Sequence, residues 1–311
     1  MHTRNLNMEK CEYSHCVVDF IDNDMDSEQL YFEADALIFQ GGRLPKKPPQ
    51  RANKNQTFIY ATIESPLHLQ LSPGGSSWKN AINWTMTYRV DSDIPYKYGD
   101  LVPKNNTTTK DFSAIFRQKS KQVAWLVSDC VTESKREKYV KILQKYIKVD
   151  IYGRCGHFKN CTKDEGQQCL EQIAKDYKFY LSFENSMCND YMTEKVFVWF
   201  GMDIIPVVRG ARTYDRLLPP NTYIDAHKFK TISSLAKFLK ELSENEQEYV
   251  NYLKEKSKYD ILNERATVQS AYCELCKRLH NLNDYTRTYQ YVQSWWYKNT
   301  CVRTTNDLIE E

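Results

Sequence analysis

The sequence predicts an α/β protein of two domains, with a parallel sheet in the second. Three observations carry this. A chain of 311 residues is about two domains long at ~150 residues each. From about residue 121, short apolar runs alternate with amphipathic stretches, the pattern of a parallel sheet covered by helices. Between the halves, the stretch 100–120 ("GDLVPKNNTTTKDFS") turns polar and loses apolar periodicity, which reads as a linker.

Taken in order, Ala36 to Phe39 and Phe58 to Ile63 read as strands of the first domain, separated by the basic, proline-rich "GGRLPKKPPQR". In the second domain, Val123 to Val127, Val149 to Tyr152, Phe179 to Phe183 and Ile204 to Val208 are strand candidates, while 134–148 and 233–242 have helical spacing. Val196-Phe197-Val198-Trp199-Phe200 is apolar enough for a buried helix, and the lysine- and glutamate-rich 237–258 reads as a solvated helical face. No internal repeat is present. In a parallel sheet, ligands bind beyond the carboxyl ends of the strands. The loop "ENSMCNDYMTEK", directly after the central run "FYLSF", is therefore where function is expected.

Composition excludes some classes. A formal net charge of +3 with 27% charged residues gives no basic field for nucleic acid, so an anionic ligand must be met locally. Ten cysteines accompany N-x-S/T sequons at Asn55, Asn83, Asn105, Asn106 and Asn160, which together suggest a secretory lumen. The rival is zinc held by Cys11, Cys16, Cys273 and Cys276; a redox centre at Cys273-x-x-Cys276 lacks a thioredoxin-like surrounding. No run reaches the ~18 to 20 apolar residues of a membrane span, and Met1 to Lys10 is too polar for a signal peptide. The expectation is a lumenal protein whose membrane anchor is absent from this chain.

Two helix starts carry the wrong charge. Ser134 and Glu137 fit a capping box, which places Lys135 and Arg136 in a first helical turn. Thr193 repeats the arrangement ahead of Glu194 and Lys195. The helix dipole disfavours cations there unless an anion sits between them and the backbone amides. A phosphate group held between Arg136 and Lys195 would account for both. Glu194 can then accept hydrogen bonds from ribose hydroxyls, Asn185 can bond sugar hydroxyls, and Tyr180 or Tyr191 can stack on a base. The structural alternative is that Asn185 and Thr193 cap turns and Tyr180 is core.

These residues carry a resemblance. "YKFYLSFENSMCNDYMTEK" resembles the donor motif of the α1,3-fucosyltransferases, glycosyltransferase family 10. "IIPVVRGARTYDRLLPPNTYIDAHKF", "INWTMTYRVDSDIPYKYG" and "ATIESP" are similar to three further family segments, in the family's order over about 11–301. The resemblance implies a GT-B type fold, two Rossmann-like domains facing a cleft: an acceptor domain over 1–115, a GDP-fucose domain over 120–270, and a segment 271–311 returning to the first. It implies an inverting enzyme using GDP-fucose, with Arg136 and Lys195 on the diphosphate, Glu194 on the ribose, Tyr180 and Tyr191 at the guanine end, Asn185 near the donor sugar, and Glu64 as general base.

No metal or other cofactor is implied. Asp91-x-Asp93 has the form of a GT-A metal motif but lies before the linker, and in this family it looks structural. The chain departs from the family pattern at Asp129, at "VFVWFGMDII" and at Arg209, and an inactive glycan-binding relative is the alternative to an enzyme. The resemblance also implies that Cys11 and Cys16 bridge to Cys273 and Cys276. Cys130, Cys155, Cys161, Cys169, Cys188 and Cys301 look like those of core-type members in plants and invertebrates. That subclass fucosylates the innermost N-acetylglucosamine of N-glycans in the Golgi; Lewis-type enzymes acting on lactosamine are the other subclass.

Overall fold

The structure, a computed structural model, describes residues 6–19, 27–69, 75–105, 110–158, 161 and 166–304. It divides into two compact units, one of Met1–Tyr98 with Asn263–Thr300 and one of Gly99–Leu262 with Cys301–Glu311. Along the first unit run α1 (Ser27–Glu33), β1 (Ala36–Gln40), β2 (Thr57–Thr62), β3 (Trp84–Thr87) and β4 (Ile94–Pro95). The four strands form one parallel sheet in chain order.

The chain then builds the second unit. β5 (Asp100–Pro103) and α2 (Phe112–Gln118) lead into β6 (Lys121–Leu126), α3 (Arg136–Leu143), β7 (Val149–Tyr152), α4 (Gly166–Asp176) and β8 (Tyr177–Phe183). After these come α5 (Glu194–Phe200), β9 (Ile205–Arg209), α6 (Tyr214–Leu217), β10 (Ile224–Asp225), α7 (Ile232–Glu244), α8 (Glu246–Ser257) and β11 (Tyr259–Leu262). The chain returns to the first unit with α9 (Glu264–His280) and α10 (Val292–Tyr297).

The stretch expected to be a linker carries a strand and a helix on either side of 106–109, which lie outside the described residues. β5 pairs antiparallel with β11, and Asp111 caps α2 by accepting from Ala114 N at 2.9 Å. Its strand partner lies far along the chain, so no local periodicity announces it. The lysine- and glutamate-rich 237–258 is also not one solvated face. Asn245 breaks it into α7 and α8, which bury Leu239, Leu242, Tyr249, Val250, Leu253 and Lys256.

In the first unit, Ile59, Ala61, Trp84 and Met86 pack on Val268, Ala271, Tyr272 and Leu275 of α9. Neighbouring strand residues turn the other way, as strand alternation requires, so that Phe58 meets Phe39 and Tyr60 meets Trp296. Cys11–Cys273 and Cys16–Cys276 tie the N-terminal segment to α9. All ten cysteines are paired, the others as Cys130–Cys155, Cys161–Cys169 and Cys188–Cys301.

Of the sequons, Asn55 and Asn105 are exposed, whereas Asn83 spends its amide on Arg287 O at 3.3 Å and its carbonyl on Arg51 and Phe58 N; Asn106 and Asn160 lie outside the described residues. Among the described residues, no helix is long and apolar enough to cross a membrane.

The second unit holds a five-stranded parallel sheet in the order β10-β9-β8-β6-β7. Its strands are buried on both faces, which is why they read as continuous apolar runs. Val123, Trp125, Phe179, Leu181 and Val207 face Tyr139 and Leu143 of α3 and the apolar rows of α7 and α8. Ala124, Tyr180 and Ile204 face Ile173 of α4 and Trp199 of α5.

Candidate active site

Numbered from β6, the five-stranded sheet has the order 2-1-3-4-5, so its strand order reverses between β6 and β8. Connections leave those two strands in opposite directions and open a crevice at their carboxyl ends, where ligands of such sheets bind. Arg136 follows β6; Asn185, Glu194 and Lys195 follow β8. The two loops are joined, because Ser134 donates from its amide to Asn185 O at 2.9 Å and from its hydroxyl to Glu184 O at 2.6 Å.

That use of Ser134 overturns the expected capping box. Lys135, in the left-handed region at φ 49°, occupies the N-cap of α3, and Glu137 accepts from Thr132 Oγ1 at 3.1 Å. The side chain that could cap the helix is committed to the neighbouring loop. Arg136 still opens α3, but its guanidinium is buried and turned back onto Phe183 O at 2.7 Å and Asp129 O at 3.3 Å.

Thr193 caps α5 as expected, accepting from Lys195 N at 3.4 Å. Its other partner is Glu184, which is fully buried and takes the Thr193 amide at 2.8 Å and the Thr193 hydroxyl at 2.9 Å. Lys195 Nζ lies 2.9 Å from Thr193 Oγ1, 3.1 Å from Glu194 Oε1 and 3.5 Å from Glu184 Oε2. Burial pushes the Glu184 carboxyl up, against the pull of Lys195. Desolvation works against the Lys195 ammonium, yet Glu184 and Glu194 outweigh it and raise its pKa. For Glu194, desolvation is likewise outweighed by Lys195, and its carboxyl is held low.

Three polar atoms at this edge, Arg136 Nε, Ser182 Oγ and Asn185 Oδ1, are buried without a protein partner. Each costs on the order of 1–3 kcal/mol if nothing satisfies it.

The two tyrosines expected to stack on a base do not present a ring. Tyr180 is 3% exposed, lies parallel to Trp199 at 3.6 Å between ring centroids, and bonds the Leu126 backbone at 3.3 Å. Tyr191 is 1% exposed. Both rings are buried, and Trp199 of α5 covers that of Tyr180.

In the first unit, Glu64 stands just beyond the carboxyl end of β2, partly buried, with its amide on Thr62 Oγ1 at 3.2 Å. Asp91 and Asp93 are engaged by protein. Arg89 holds Asp91 through two bonds of 2.7 and 2.8 Å. Asp93 accepts from Thr85 N at 2.8 Å, Tyr289 Oη at 2.8 Å and Arg287 at 2.7 Å. The pair is a structural knot.

Two residues of the cluster were not foreseen as parts of a site. Glu184 carried a signal, a carboxylate directly after a buried strand, but its burial did not show in the sequence. Arg209 appears there only as a departure from a pattern. Buried, it donates to Ser134 O at 3.0 Å, and its carbonyl accepts from Glu184 N at 2.8 Å.

Two α/β units on parallel sheets, the second with cations and an acidic pair beside its switch point, are the parts of a GT-B type fold, and its relatives make it that of a glycosyltransferase. Residues 116–295 match glycosyltransferase family 10 (fucosyltransferase), C-terminal part, and residues 1–99 match fucosyltransferase, N-terminal part. The chain belongs to glycosyltransferase family 10. It is 34% identical to alpha-(1,3)-fucosyltransferase C of Drosophila melanogaster, over 94% of this chain and 71% of that protein. It is 36% identical to glycoprotein 3-alpha-L-fucosyltransferase A of the same fly, over 87% of this chain and 53% of that one. A crystal structure of an alpha1,3-fucosyltransferase with GDP-fucose shares the fold, with a TM-score of 0.52, 17% identity, and coverage of 75% of this chain and 78% of the other.

Proposed function

We propose that the chain transfers L-fucose from GDP-fucose to the 3-hydroxyl of an N-acetylglucosamine, with inversion, and that the acceptor is the innermost residue of an N-glycan. The observation that supports the donor half is that the loops after β6 and β8 bring Arg136 close enough to Lys195 to repel its ammonium, beside the unpartnered Asn185 Oδ1; Arg136, seated on the Phe183 and Asp129 carbonyls, turns outward in this reading to meet the diphosphate. In this reading both cations hold the diphosphate and meet the charge that grows on it as the glycosidic bond breaks. Glu194 takes the ribose hydroxyls, and Asn185 the fucose side.

Glu64 removes the proton from the acceptor hydroxyl as its oxygen attacks the anomeric carbon, which gives inversion in one displacement. The chemistry needs no metal in this reading, since the leaving diphosphate has protein cations. The core acceptor is supported by the cysteine set and by the relative named for glycoproteins. The Lewis-type reading is favoured by a human relative, a 4-galactosyl-N-acetylglucosaminide 3-alpha-L-fucosyltransferase, 33% identical over 83% of this chain. Five disulfides fit an oxidising compartment, and we place the protein in the Golgi lumen.

The test is incubation with GDP-fucose and two acceptors, an N-glycan with reducing-end chitobiose and a lactosamine, while GDP release is measured against hydrolysis. Release with chitobiose is expected. Product on lactosamine alone would overturn the core assignment, and no release with either acceptor would overturn the enzyme. Glu64→Gln is expected to keep GDP affinity and to lower kcat roughly a hundredfold or more; activity near wild type would remove Glu64 from the role.

A further inference from the structure

Glu184 is the one fully buried carboxylate among the described residues, and the fold is shaped around it. Its amide is fixed by Arg209 O at the end of β9, at 2.8 Å. The next residue on that side is Gly210, where an added Cβ would fall 2.5 Å from the Glu184 Cγ and 2.6 Å from its Cβ, so only glycine lets the side chain pass. The carboxyl then reaches forward to the first turn of α5 and takes both the amide and the hydroxyl of Thr193. Because Thr193 Oγ1 already accepts from Lys195 Nζ at 2.9 Å, its own proton goes to Glu184. The bonds therefore run in one direction, from ammonium to hydroxyl to carboxylate, with a direct ion pair at 3.5 Å beside them.

We propose that Glu184 is the positioning residue of the donor clamp: through Thr193 it fixes the Lys195 ammonium at the crevice and keeps it charged until the nucleotide diphosphate arrives. Lys195 needs such a partner because its surroundings are mixed. Glu194 of α5 attracts it, but the Arg136 guanidinium at the start of α3 repels it. Glu184 itself faces Tyr214 of α6, a neutral phenol, and meets Arg209 only through its carbonyl, so its charge is not spent on another cation. When the diphosphate binds, it replaces Glu184 as the main counter-charge, and Lys195 moves outward without first having to take up a proton.

This inference rests on Lys195 being a diphosphate ligand. The experiment reads binding of GDP alone, by calorimetry, across pH 6.5 to 10. Glu184→Gln keeps an acceptor for the Thr193 amide but removes the charge. Loss of an opposite charge at this range lowers a pKa by about 1 to 3 units. The alkaline fall in GDP affinity should therefore begin about 1 to 3 pH units earlier than in wild type, whatever the affinity at pH 6.5. An unchanged pH profile, whatever the melting temperature, would reduce Glu184 to a structural role and overturn the proposal. Should Glu184→Gln not fold, Thr193→Val, which keeps the amide bond and deletes the hydroxyl link, must show the same shift in smaller measure, and its absence is equally fatal. Lys195→Ala separates the two readings: if it binds GDP as wild type does at every pH, the clamp itself is wrong.

Discussion

Both ends of the five-stranded sheet seat buried cations on backbone carbonyls, but only the carboxyl end adds a buried carboxylate. At the amino end, Lys119 and Lys256 are buried and bonded only to backbone carbonyls. Lys119 Nζ donates to Tyr177 O at 3.0 Å and to Ala174 O; Lys256 Nζ donates to Trp199 O at 3.2 Å, Met202 O at 2.8 Å and Ile204 O. These carbonyls belong to the last turns of α4 and α5 and to the starts of β8 and β9, where strands and helices leave acceptors over. At the carboxyl end the buried charges are of both signs, Arg136, Glu184 and Arg209, with Lys195 at the rim, and three polar atoms are left without protein partners.

The difference teaches which end is finished. A lysine in a cage of carbonyls is a plug, complete without any ligand. The carboxyl-end cluster keeps Arg136 Nε and Ser182 Oγ free to donate and Asn185 Oδ1 free to accept, and in the reading proposed above the nucleotide sugar completes it.

The largest expected effect sharpens that contrast at the carboxyl end. Lys195→Ala should lower kcat/KM for GDP-fucose by about 10² to 10³-fold per folded molecule, the range for a lost charge-stabilising donor, and should also lower the melting temperature, because the buried Glu184 carboxylate loses its counter-charge. Activity within a few-fold of wild type would erase the functional reading of this end. A smaller effect is expected from the covalent staples, which favour the same end. Cys130–Cys155 joins the loops after β6 and β7, and Cys188–Cys301 ties the loop after β8 to the C-terminal segment, where Val302 N also bonds Met187 O at 2.8 Å. Replacing Cys188 and Cys301 together by serine should cost about 2 to 4 kcal/mol of stability and raise the donor KM, because the loop from Glu184 to Thr193 is freed. Lost stability with unchanged KM would make the staple purely structural.

How much of this was legible depended on whether the signal was local. The runs at 123–127, 149–152, 179–183 and 204–208 all fall on strands, give or take two residues, because both faces of the sheet are buried and the apolar run is continuous. Thr193 and the charged first turn of α5 were also local and could be read. What failed was non-local. β5 is a strand because β11 pairs with it, Ser134 does not cap α3 because its hydroxyl is given to Glu184 O, and Tyr180 offers no ring because Trp199 of the following helix covers it. Glu184 stood in plain view after "FYLSF", but whether a carboxylate is a rim ligand or a buried anchor depends on Gly210, a strand away. The N-terminal bridges to Cys273 and Cys276 came from family likeness, since spacing alone leaves the pairing open.

The smallest expected effect on turnover tests the amino end, through pH. Burial pushes the Lys256 ammonium down to about 7 from its ordinary 10.5. Between those values the unfolded chain holds a proton that the folded chain does not, so stability rises with pH there, and it levels off below pH 7, where both states are charged. One such group contributes at most about 1.4 kcal/mol per pH unit. Lys256→Met, similar in length and uncharged, leaves three carbonyls without a donor but also removes a buried charge, so the change at pH 7 is the net of two opposed terms. The telling quantity is the difference between the two denaturation curves measured from pH 7 to 10. Wild type should gain on the variant steadily across that window, while turnover per folded molecule stays equal. A flat difference would mean that the carbonyl cage keeps Lys256 charged throughout. The amino end would then hold its cation as firmly as Glu184 holds Lys195, and the contrast between the two ends would rest on the spare polar groups alone.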